Sequence, residues 1–283
     1  MAELIDGKIV SAHIRENLKK EISELKESAG ITPGLAVILV GNDPASEVYV
    51  RNKHKACNEV GINSIQICMP YNTTESELLH KINELNNDDT VHGILVQLPL
   101  PKHIDEESII HAISPEKDVD AFHPVNVGKI MTGNYSFLPC TPAGIMALLD
   151  YYNIDINGKS CVIVGRSNIV GKPMAMLLLE KNGTPTICHS RTVDLSKITR
   201  EADILVVAIG KARFIKASDV KPNAVVIDVG INRLPDGKLC GDVDFSEVSK
   251  VASFITPVPG GVGPMTITTL LKNTLTAAKA SKK

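Results

Sequence analysis

The chain has 283 residues, of which 43% are hydrophobic and 22% are charged, and its formal net charge is −2. This length exceeds the usual size of a single domain, so it predicts two domains, each large enough to bury its own core. A balanced charge gives no general attraction to phosphate backbones or anionic lipids, which excludes binding through a long basic tract. We therefore expect neither a nucleic-acid partner nor a membrane partner.

The beginning of the sequence and its cysteines indicate the compartment. The first residues show no basic stretch before an apolar run and no Arg/Ser-rich amphipathic pattern, and no later apolar run has the length of a bilayer-spanning helix. The six cysteines form no Cys-x-x-Cys pair and no cluster with histidine at metal-ligand spacing. We expect a cytoplasmic protein with reduced, mostly structural thiols and no bound metal.

Hydrophobic periodicity in the first half alternates between helical and strand-like patterns. Apolar residues at helical spacing predict helices over residues 13–29, from about Ser46, and over residues 75–85. Short aliphatic runs predict strands over residues 35–40, 64–68 and 93–98. Residues 99–139 are rich in Pro, His, Asp and Gly, which is typical of an irregular connector. Residues 1–139 are therefore expected to form one α/β domain.

The second half repeats this alternation in a stricter order. Thr141 followed by Pro142 predicts an N-cap and the first residue of a helix that continues to Tyr152. Strands are predicted over residues 160–164, 184–188, 204–208 and 224–229, with a helix over 172–181. This order predicts a Rossmann-like, doubly wound parallel-sheet domain over residues 140–263, with a cleft between it and the first α/β domain. A last helix, about 264–283 with a frayed basic tail, is expected to pack back on the first domain.

A glycine-edged turn follows the first strand of the second half. Gly165 and Gly171 permit a tight turn into a helix N-terminus, where free backbone N–H groups favour a pyrophosphate. The match to G-x-G-x-x-G is imperfect, because Ser167 replaces the second glycine and the last glycine comes one residue late. Two alternatives stay open at this point: a dinucleotide site, or an ordinary turn between a strand and a helix.

The end of the next strand favours a phosphorylated dinucleotide. An NAD site normally has an acidic residue here, whereas this chain has Ser190 and Arg191, with Arg166 in the preceding turn. A hydroxyl and guanidinium groups bind a 2'-phosphate that a carboxylate would repel, so NADP is the predicted cofactor. His189 is interpreted as a neutral spacer, and the alternative for the whole segment is a solvated turn. Small residues after the next two strands, around Ala208, Gly210 and Ile231, suit a ligand lying across the sheet edge.

Candidate chemistry in the first half centres on a lysine. Tyr49 and Lys53 are four residues apart and share one face of the predicted helix, and Gln97 ends a strand at the same sheet edge. The alternatives are a solvated lysine and a packing tyrosine. Asp118 and Asp120 lie in the connector, where aspartate serves as a turn residue or accepts hydrogen bonds from an amino-pyrimidine-like ring. The Gly- and Pro-rich residues 256–266 form either a hinge or a backbone surface for a flat ligand.

Together these segments resemble the bifunctional methylenetetrahydrofolate dehydrogenase/cyclohydrolase family, called FolD in bacteria. The resemblance spans essentially the whole chain and rests on several long motifs in the right order. In this sequence they are Gly41-Asn42-Asp43-Pro44-Ala45-Ser46, Tyr49-Val50-Arg51-Asn52-Lys53, Gln97-Leu98-Pro99-Leu100-Pro101, Lys117-Asp118-Val119-Asp120, Pro139-Cys140-Thr141-Pro142, Gly165-Arg166-Ser167 and Pro257-Val258-Pro259-Gly260-Gly261-Val262-Gly263-Pro264-Met265-Thr266. The family pattern usually has glycine after Asp120, where this chain has Ala121.

The resemblance implies NADP-dependent oxidation of 5,10-methylenetetrahydrofolate to the methenyl cation and hydrolysis of that cation to 10-formyltetrahydrofolate, within one-carbon metabolism and the purine, methionine and histidine biosynthesis that it feeds. It implies three catalytic residues, namely Lys53, Tyr49 and Gln97. The implied substrate-binding residues are those three with Asp120, Pro259, Gly260 and Gly261. The implied cofactor-binding residues are Thr141, Gly165, Arg166, Ser167, Ser190, Arg191, Ala208, Gly210, Ile231 and Thr266. The implied partners are tetrahydrofolate derivatives and a second copy of the chain, bound through the C-terminal domain as a homodimer.

Two other functions are alternatives to this interpretation. One is a shikimate-type or amino-acid-type NADP oxidoreductase acting on a small hydroxy or amino acid. The other is a dinucleotide-binding regulatory protein without turnover. The presence of Lys53, Gln97 and Asp120 together argues against a pure binder, because a binder needs no lysine at a sheet edge.

Overall fold

The computed structural model of the chain describes residues 1–281, so the predicted basic tail at residues 282–283 lies outside the described part. The described strands are β1 Glu3–Leu4, β2 Gly34–Val40, β3 Asn63–Met69, β4 Gly93–Val96, β5 Ser160–Val164, β6 Thr184–Cys188, β7 Ile204–Val207, β8 Val225–Asp228, β9 Asn232–Arg233, β10 Leu239–Cys240 and β11 Phe254–Ile255. The described α-helices are α1 Gly7–Ala29, α2 Pro44–Val60, α3 Glu75–Asn86, α4 Glu106–Ala112, α5 Pro124–Thr132, α6 Cys140–Tyr151, α7 Gly171–Glu180, α8 Leu195–Thr199, α9 Phe245–Val248 and α10 Val262–Ala280.

The chain folds into two compact units, each assembled from two segments of sequence. Met1–Ala12 and Pro139–Thr266 form one, which we call the six-stranded unit. His13–Leu138 and the described residues from Ile267 onward form the other, which we call the three-stranded unit. The boundaries at residues 12 and 266 lie inside α1 and α10, so each of these helices belongs partly to both units.

The three-stranded unit is organised around a parallel sheet in the order β3-β2-β4. The central strand β2 is a run of small and aliphatic residues and is buried along its whole length, as expected for a strand covered on both faces. Helix α2 follows it directly and is capped by Asp43, whose carboxylate accepts the backbone N–H of Ser46 at 2.8 Å. The cap fixes the start of α2 at the carboxyl edge of β2, and this positions the side chains of its first turns.

Strand β4 ends two residues earlier than predicted. Pairing with β2 stops at Val96, and the backbone N–H of Gln97 donates to the carbonyl of Ile38 at 2.9 Å. The peptide bond between Leu98 and Pro99, two residues further on, is cis. Gln97 is thereby held at the carboxyl edge, beside the strand that leads into α2.

The six-stranded unit has a wholly parallel sheet in the order β1-β11-β8-β7-β5-β6. Its central strands β5, β7 and β8 are buried and rich in Val, Ile and Leu, and their side chains form one core with Ile215, Val243 and Ile255. A short antiparallel hairpin, β9 and β10, follows β8. The predicted fold class, two α/β parts of which one has a doubly wound parallel sheet, is confirmed in this architecture.

Two local predictions were wrong for identifiable reasons. Thr141 is not the N-cap of α6, since the helix begins at Cys140 and the Thr141 hydroxyl is hydrogen-bonded to that of Thr266 at 3.0 Å. Helix α1 begins six residues before residue 13, at Gly7, because Asp6 caps it by accepting the N–H of Lys8 at 2.8 Å. Within residues 1–281 no helix is long and apolar enough to cross a membrane, and no group of three His, Cys, Asp or Glu side chains is placed to hold a metal.

Candidate active-site residues

Lys53 and Gln97 meet at the carboxyl edge of the three-stranded sheet. The Nζ of Lys53 donates to Oε1 of Gln97 at 2.9 Å, and Gln97 Nε2 donates to the carbonyl of Leu98 at 2.7 Å. Lys53 is only 9% exposed, which is unusual for a lysine and excludes the solvated alternative. The second bond fixes which end of the Gln97 amide faces Lys53, so the lysine meets a carbonyl oxygen.

Tyr49 lies one turn before Lys53 on α2. Its side chain is 38% exposed, so it is only partly a packing residue. Burial raises the pKa of its phenol above the ordinary value, and the hydroxyl therefore stays protonated at neutral pH. A neutral hydroxyl is able to donate or accept a hydrogen bond without adding charge.

Asp118 and Asp120 take different roles in the segment after α4. Asp118 is buried, and its carboxylate accepts the backbone N–H of His123 and the side-chain amide of Asn126, both at 2.8 Å. Asp118 and Asp120 both line a small recess with Leu98 and Phe122. Of the two roles that the sequence left open, Asp118 has that of a turn residue, and the ring-binding role stays a prediction for Asp120.

Ala121 has the backbone geometry that explains the usual glycine of the family pattern. Its φ is 58°, in the left-handed region that non-glycine residues enter at a cost of about 1 kcal/mol. The residue is fully buried, and its N–H donates to the carbonyl of Asp118 at 3.1 Å. The conformation is therefore retained with alanine, held by the same turn that positions Asp120.

The glycine-rich residues 257–261 lie in the six-stranded unit. The N–H of Gly261 donates to the carbonyl of Pro257 at 2.8 Å, and the N–H of Gly7 donates to the carbonyl of Gly260 at 2.9 Å. A β-carbon on Gly7 would lie 1.8 Å from the Gly261 carbonyl oxygen, so this approach requires glycine. The start of α1 thus supports the loop that carries Pro259, Gly260 and Gly261.

The turn between β5 and α7 has the geometry of a phosphate cradle. A β-carbon on Gly165 would lie 2.4 Å from the carbonyl oxygen of Ala208, and one on Gly171 would lie 2.2 Å from that of Gly165. Ser167, in place of the second motif glycine, accepts the N–H of Val170 at 3.1 Å through its hydroxyl. The two glycines are therefore required by close backbone approach, which supports a dinucleotide site over a chance pair of glycines.

Ser190 and Arg191 are exposed in the turn after β6, next to this cradle. The N–H of Gly165 donates to the carbonyl of Cys188 at 2.9 Å, so the two strand ends adjoin. His189 Nδ1 accepts the N–H of Arg191 at 3.1 Å, which makes the histidine part of the turn. Arg166 and Arg191 thus lie on neighbouring strand ends, where a carboxylate would be expected for NAD.

The remaining predicted cofactor residues are distributed along the same unit. Ala208 and Gly210 follow β7, and Ile231, which is exposed, follows β8. Thr141 and Thr266 form the hydroxyl pair described above, between α6 and α10. The structure thus brings Lys53 and Gln97 into contact in one unit, and Thr141 and Thr266 in the other.

Two buried aspartates in the six-stranded unit were missed by the sequence reasoning. Asp228 and Asp242 accept hydrogen bonds from the backbone after β7 and β8, around Gly210 and Gly230. The available signal was glycine beside aspartate, in Gly230 near Asp228 and in Gly241 next to Asp242. That pattern also occurs in exposed turns, so burial had to be seen in the structure.

Comparison with known proteins gives a consistent result over the whole chain. Residues 5–120 match the model of the tetrahydrofolate dehydrogenase/cyclohydrolase catalytic domain, and residues 139–282 match that of the tetrahydrofolate dehydrogenase/cyclohydrolase NAD(P)-binding domain. A bifunctional FolD protein of Acetivibrio thermocellus is 64% identical over 100% of this chain and 99% of its own.

Solved structures agree with the sequence relatives. The bifunctional FolD methylenetetrahydrofolate dehydrogenase/cyclohydrolase of Campylobacter jejuni is 56% identical, with a TM-score of 0.97 over 99% of both chains. The Trypanosoma brucei enzyme, solved with NADP and an inhibitor, is 40% identical with a TM-score of 0.96, over 100% of this chain and 99% of its own. The chain therefore belongs to the tetrahydrofolate dehydrogenase/cyclohydrolase family.

Proposed function

We propose that this chain oxidises 5,10-methylenetetrahydrofolate with NADP and then hydrolyses the 5,10-methenyl product to 10-formyltetrahydrofolate. The observation that carries the proposal is the buried amine of Lys53, 2.9 Å from the carbonyl oxygen of Gln97 at a sheet edge. A pure dinucleotide binder has no use for such an amine, whereas hydrolysis of a cation needs a group that accepts and returns a proton.

In the hydrolytic step Lys53 is the proton carrier. Water adds to the methenyl carbon as Lys53, in its amine form, takes the proton that the water loses. The resulting ammonium returns this proton to the leaving nitrogen N5 as the bond between N5 and the carbon breaks. The added hydroxyl releases its own proton to solvent as the formyl C=O forms, so one proton is released overall. Gln97 holds Nζ in place through its carbonyl oxygen, and Tyr49 packs against the aromatic middle of the folate and supplies a neutral hydroxyl near the amine.

The dehydrogenase step makes smaller demands on side-chain chemistry. NADP, when bound, accepts a hydride. The reacting carbon lies between two nitrogens, and a nitrogen lone pair assists the departure of the hydride, so no general base is required. The task of this chain is to hold the folate in a productive orientation, which we assign to Asp120 and to the backbone of Pro259, Gly260 and Gly261.

The cofactor is assigned to the carboxyl edge of the six-stranded sheet. Gly165, Arg166 and Ser167 cradle the pyrophosphate, while Ser190 and Arg191 bind the 2'-phosphate. The remaining contacts are assigned to Thr141, Ala208, Gly210, Ile231 and Thr266. Support comes from the close approach of Gly165 to the Ala208 carbonyl, which leaves backbone rather than side chains at the turn.

We also propose a cytoplasmic homodimer that associates through the six-stranded unit. Large apolar side chains that are exposed on this unit support it, among them Phe214, Leu239 and Phe245. Light scattering coupled to size-exclusion chromatography tests the assembly, and a monomeric mass at micromolar concentration would contradict it.

The function is tested by following methenyl and reduced-cofactor absorbance together, with methylenetetrahydrofolate and either NADP or NAD. NADP should support reduction better than NAD, and the methenyl signal should stay below the reduced cofactor because hydrolysis removes it. Shikimate and small hydroxy acids, as matched controls, should give no reduction. Failure of both signals with the folate would sink the proposal, and reduction with a small acid alone would favour the rival oxidoreductase.

A further inference from the structure

Three successive backbone N–H groups after β7 converge on one buried carboxylate. Asp242 Oδ2 accepts from Ile209 at 2.7 Å and from Gly210 at 2.9 Å, and Oδ1 accepts from Lys211 at 2.8 Å. Oδ1 also accepts from the side-chain amide of Asn232 at 2.9 Å. Asp242 is 0% exposed, so its carboxylate occupies an internal anion nest that the chain itself builds.

A second buried carboxylate, that of Asp228, accepts hydrogen bonds from the backbone around Asp242. Asp228 is 3% exposed; its Oδ1 accepts the N–H of Asp242 at 2.9 Å and that of Gly230 at 3.0 Å, while its Oδ2 accepts the N–H of Val243 at 2.9 Å. All of these donors are neutral N–H groups. The two aspartates therefore tie three segments together: residues 209–211, residues 228–232 and residues 241–243.

Glycines make the room for both carboxylates. A β-carbon on Gly230 would lie 2.3 Å from Oδ1 of Asp242, and one on Gly241 would lie 1.8 Å from Oδ2 of Asp228. Side chains at these positions would collide with the carboxylates. The backbone is thus shaped around the two acids, independently of the hydrogen bonds.

The nest fixes the direction of the peptide groups after β7. These peptides are trans, because the cis bonds of the described chain are those before Pro99 and Pro259. In a trans peptide the C=O points opposite to the N–H, so the carbonyls of residues 208, 209 and 210 point away from Asp242. The carbonyl of Ala208 accordingly faces Gly165, in the proposed pyrophosphate turn.

We propose that Asp242 is a positioning residue for NADP, orienting the backbone after β7 and, through Asn232, the backbone after β8. These segments carry Ala208, Gly210 and Ile231, so the inference rests on the cofactor site of the proposed function. Asp242 itself is buried and satisfied within the protein, and it acts only through the peptides that it holds.

The test is NADP affinity, measured by titration calorimetry, alongside hydrolysis of the methenyl substrate without cofactor. In Asp242→Asn an amide nitrogen faces two N–H donors, and we expect the NADP dissociation constant to rise at least about tenfold. Cyclohydrolase kcat/KM should stay within about twofold of wild type, because its residues lie in the other unit. Circular dichroism and thermal unfolding verify that each variant is folded.

Asp203→Asn is the matched control. Asp203 precedes the same strand β7 at its amino end, where its carboxylate accepts the N–H of Ser160 at 2.9 Å and pairs with Lys221. This variant should bind NADP like the wild type. If Asp242→Asn does not fold, Asn232→Ala tests the proposal instead. This variant removes one hydrogen bond to Oδ1 of Asp242 and should weaken NADP binding about threefold.

Other outcomes overturn the proposal. If folded Asp242→Asn binds NADP as tightly as the wild type, the role of Asp242 is contradicted, while the proposed function stands. If Asp242→Asn does not fold, the same conclusion follows when Asn232→Ala binds NADP as tightly as the wild type. If Asp242→Asn loses NADP affinity and hydrolysis to the same extent, or if Asp203→Asn weakens NADP binding as much as Asp242→Asn does, the effect is a general loss of stability. A wild type that binds no NADP would contradict the proposed function and this role together.

Discussion

The two units build their proposed sites from different parts of the polypeptide. In the three-stranded unit, side chains project from secondary structure: Lys53 from α2 and Gln97 from the end of β4, joined by one hydrogen bond. In the six-stranded unit, backbone is presented by loops whose course depends on glycines such as Gly165 and on the buried carboxylate of Asp242.

This difference separates two kinds of sensitivity. A side-chain site fails when a functional group is replaced, even if the backbone is unchanged. A backbone site tolerates exchange of exposed residues and fails when a hidden support is removed. Substitutions in the three-stranded unit should therefore spare NADP binding, and substitutions at the cofactor site of the six-stranded unit should spare hydrolysis. The experiments below are ordered by the size of these effects.

Gln97 should give the largest selective loss among the supporting residues. Gln97→Met removes the acceptor of Lys53 Nζ, and we expect cyclohydrolase kcat to fall at least about 100-fold, the usual contribution of general acid–base catalysis. In Gln97→Glu a carboxylate favours the ammonium form of Lys53, so the rate should reach its maximum at a higher pH than in wild type.

Cyclohydrolase pH profiles of the purified variants test both statements. Gln66→Met, an exposed position on β3 of the same sheet, is the control and should match the wild type. An unshifted profile in Gln97→Glu would show that Gln97 does not govern the protonation of Lys53.

Asp118 tests whether folate binding depends on a buried carboxylate that holds backbone in place, as we propose for Asp242 and NADP binding. Asp118→Asn places an amide nitrogen against the N–H of His123 or the amide of Asn126, which loosens the turn that carries Asp120. We expect KM for the folate to rise about tenfold in both activities, with NADP affinity unchanged.

Asp105→Ala is the control for Asp118. Asp105 caps α4 from an exposed position and accepts the N–H of Ser108 at 2.8 Å. Removal of this cap should lower the thermal unfolding midpoint without changing KM. Equal KM effects in the two variants would assign the Asp118 result to stability.

Arg191 tests whether the six-stranded unit selects NADP over NAD through an exposed side chain. Arg191→Ala removes one charge-assisted contact proposed for the 2'-phosphate, so the ratio of kcat/KM for NADP to that for NAD should fall about tenfold. Lys181→Ala removes an equally exposed charge after α7, at the opposite edge of the sheet, and should leave the ratio unchanged. An unaltered ratio in Arg191→Ala would remove Arg191 from the cofactor site.

Asp228 should show the smallest effect, as a pH dependence of stability. Burial, followed by the charge of Asp242, raises its pKa from 3.8 to about 6, against the lowering effect of backbone hydrogen bonds. Between about pH 4 and pH 6 the folded state holds a proton that the unfolded state has released, so stability conferred by this group is lost as pH rises.

Urea unfolding of wild type and Asp228→Asn measures this directly. The stability of wild type relative to the variant should decline by at most about 1.4 kcal/mol per pH unit across that window and level off above it. A difference that is constant with pH would mean that the carboxyl group of Asp228 does not titrate there.

Much of the fold and part of the site were predictable from sequence, for physical reasons that differ by element. Strand β5 was predicted with its observed bounds because a short aliphatic run between turn residues is too short for a helix and is typical of a buried strand. The end of β4 was missed, since the sequence Val96-Gln97-Leu98 gives no sign that pairing with β2 stops at Val96. The role of Thr141 depends on a partner 125 residues away, Thr266.

The buried residues that position the site backbone were the least predictable part of the molecule. Lys53, Gln97 and Asp120 were predicted as site residues because polar groups near the carboxyl edge of a sheet are informative in sequence, and these roles stay predictions. Asp242 was not, because an aspartate after glycine looks like a turn, and only the fold places it beneath the backbone of residues 209–211.

The most direct test of the separation between the two units is Lys53→Met, assayed by methenyl and NADPH absorbance in the same reaction. Lys55→Met, an exposed lysine on the same helix, is the control. We expect Lys53→Met to bind NADP normally and to accumulate methenyl product one-for-one with NADPH, after correction for spontaneous hydrolysis, while Lys55→Met behaves as wild type. Hydrolysis at the wild-type rate in folded Lys53→Met would contradict the account.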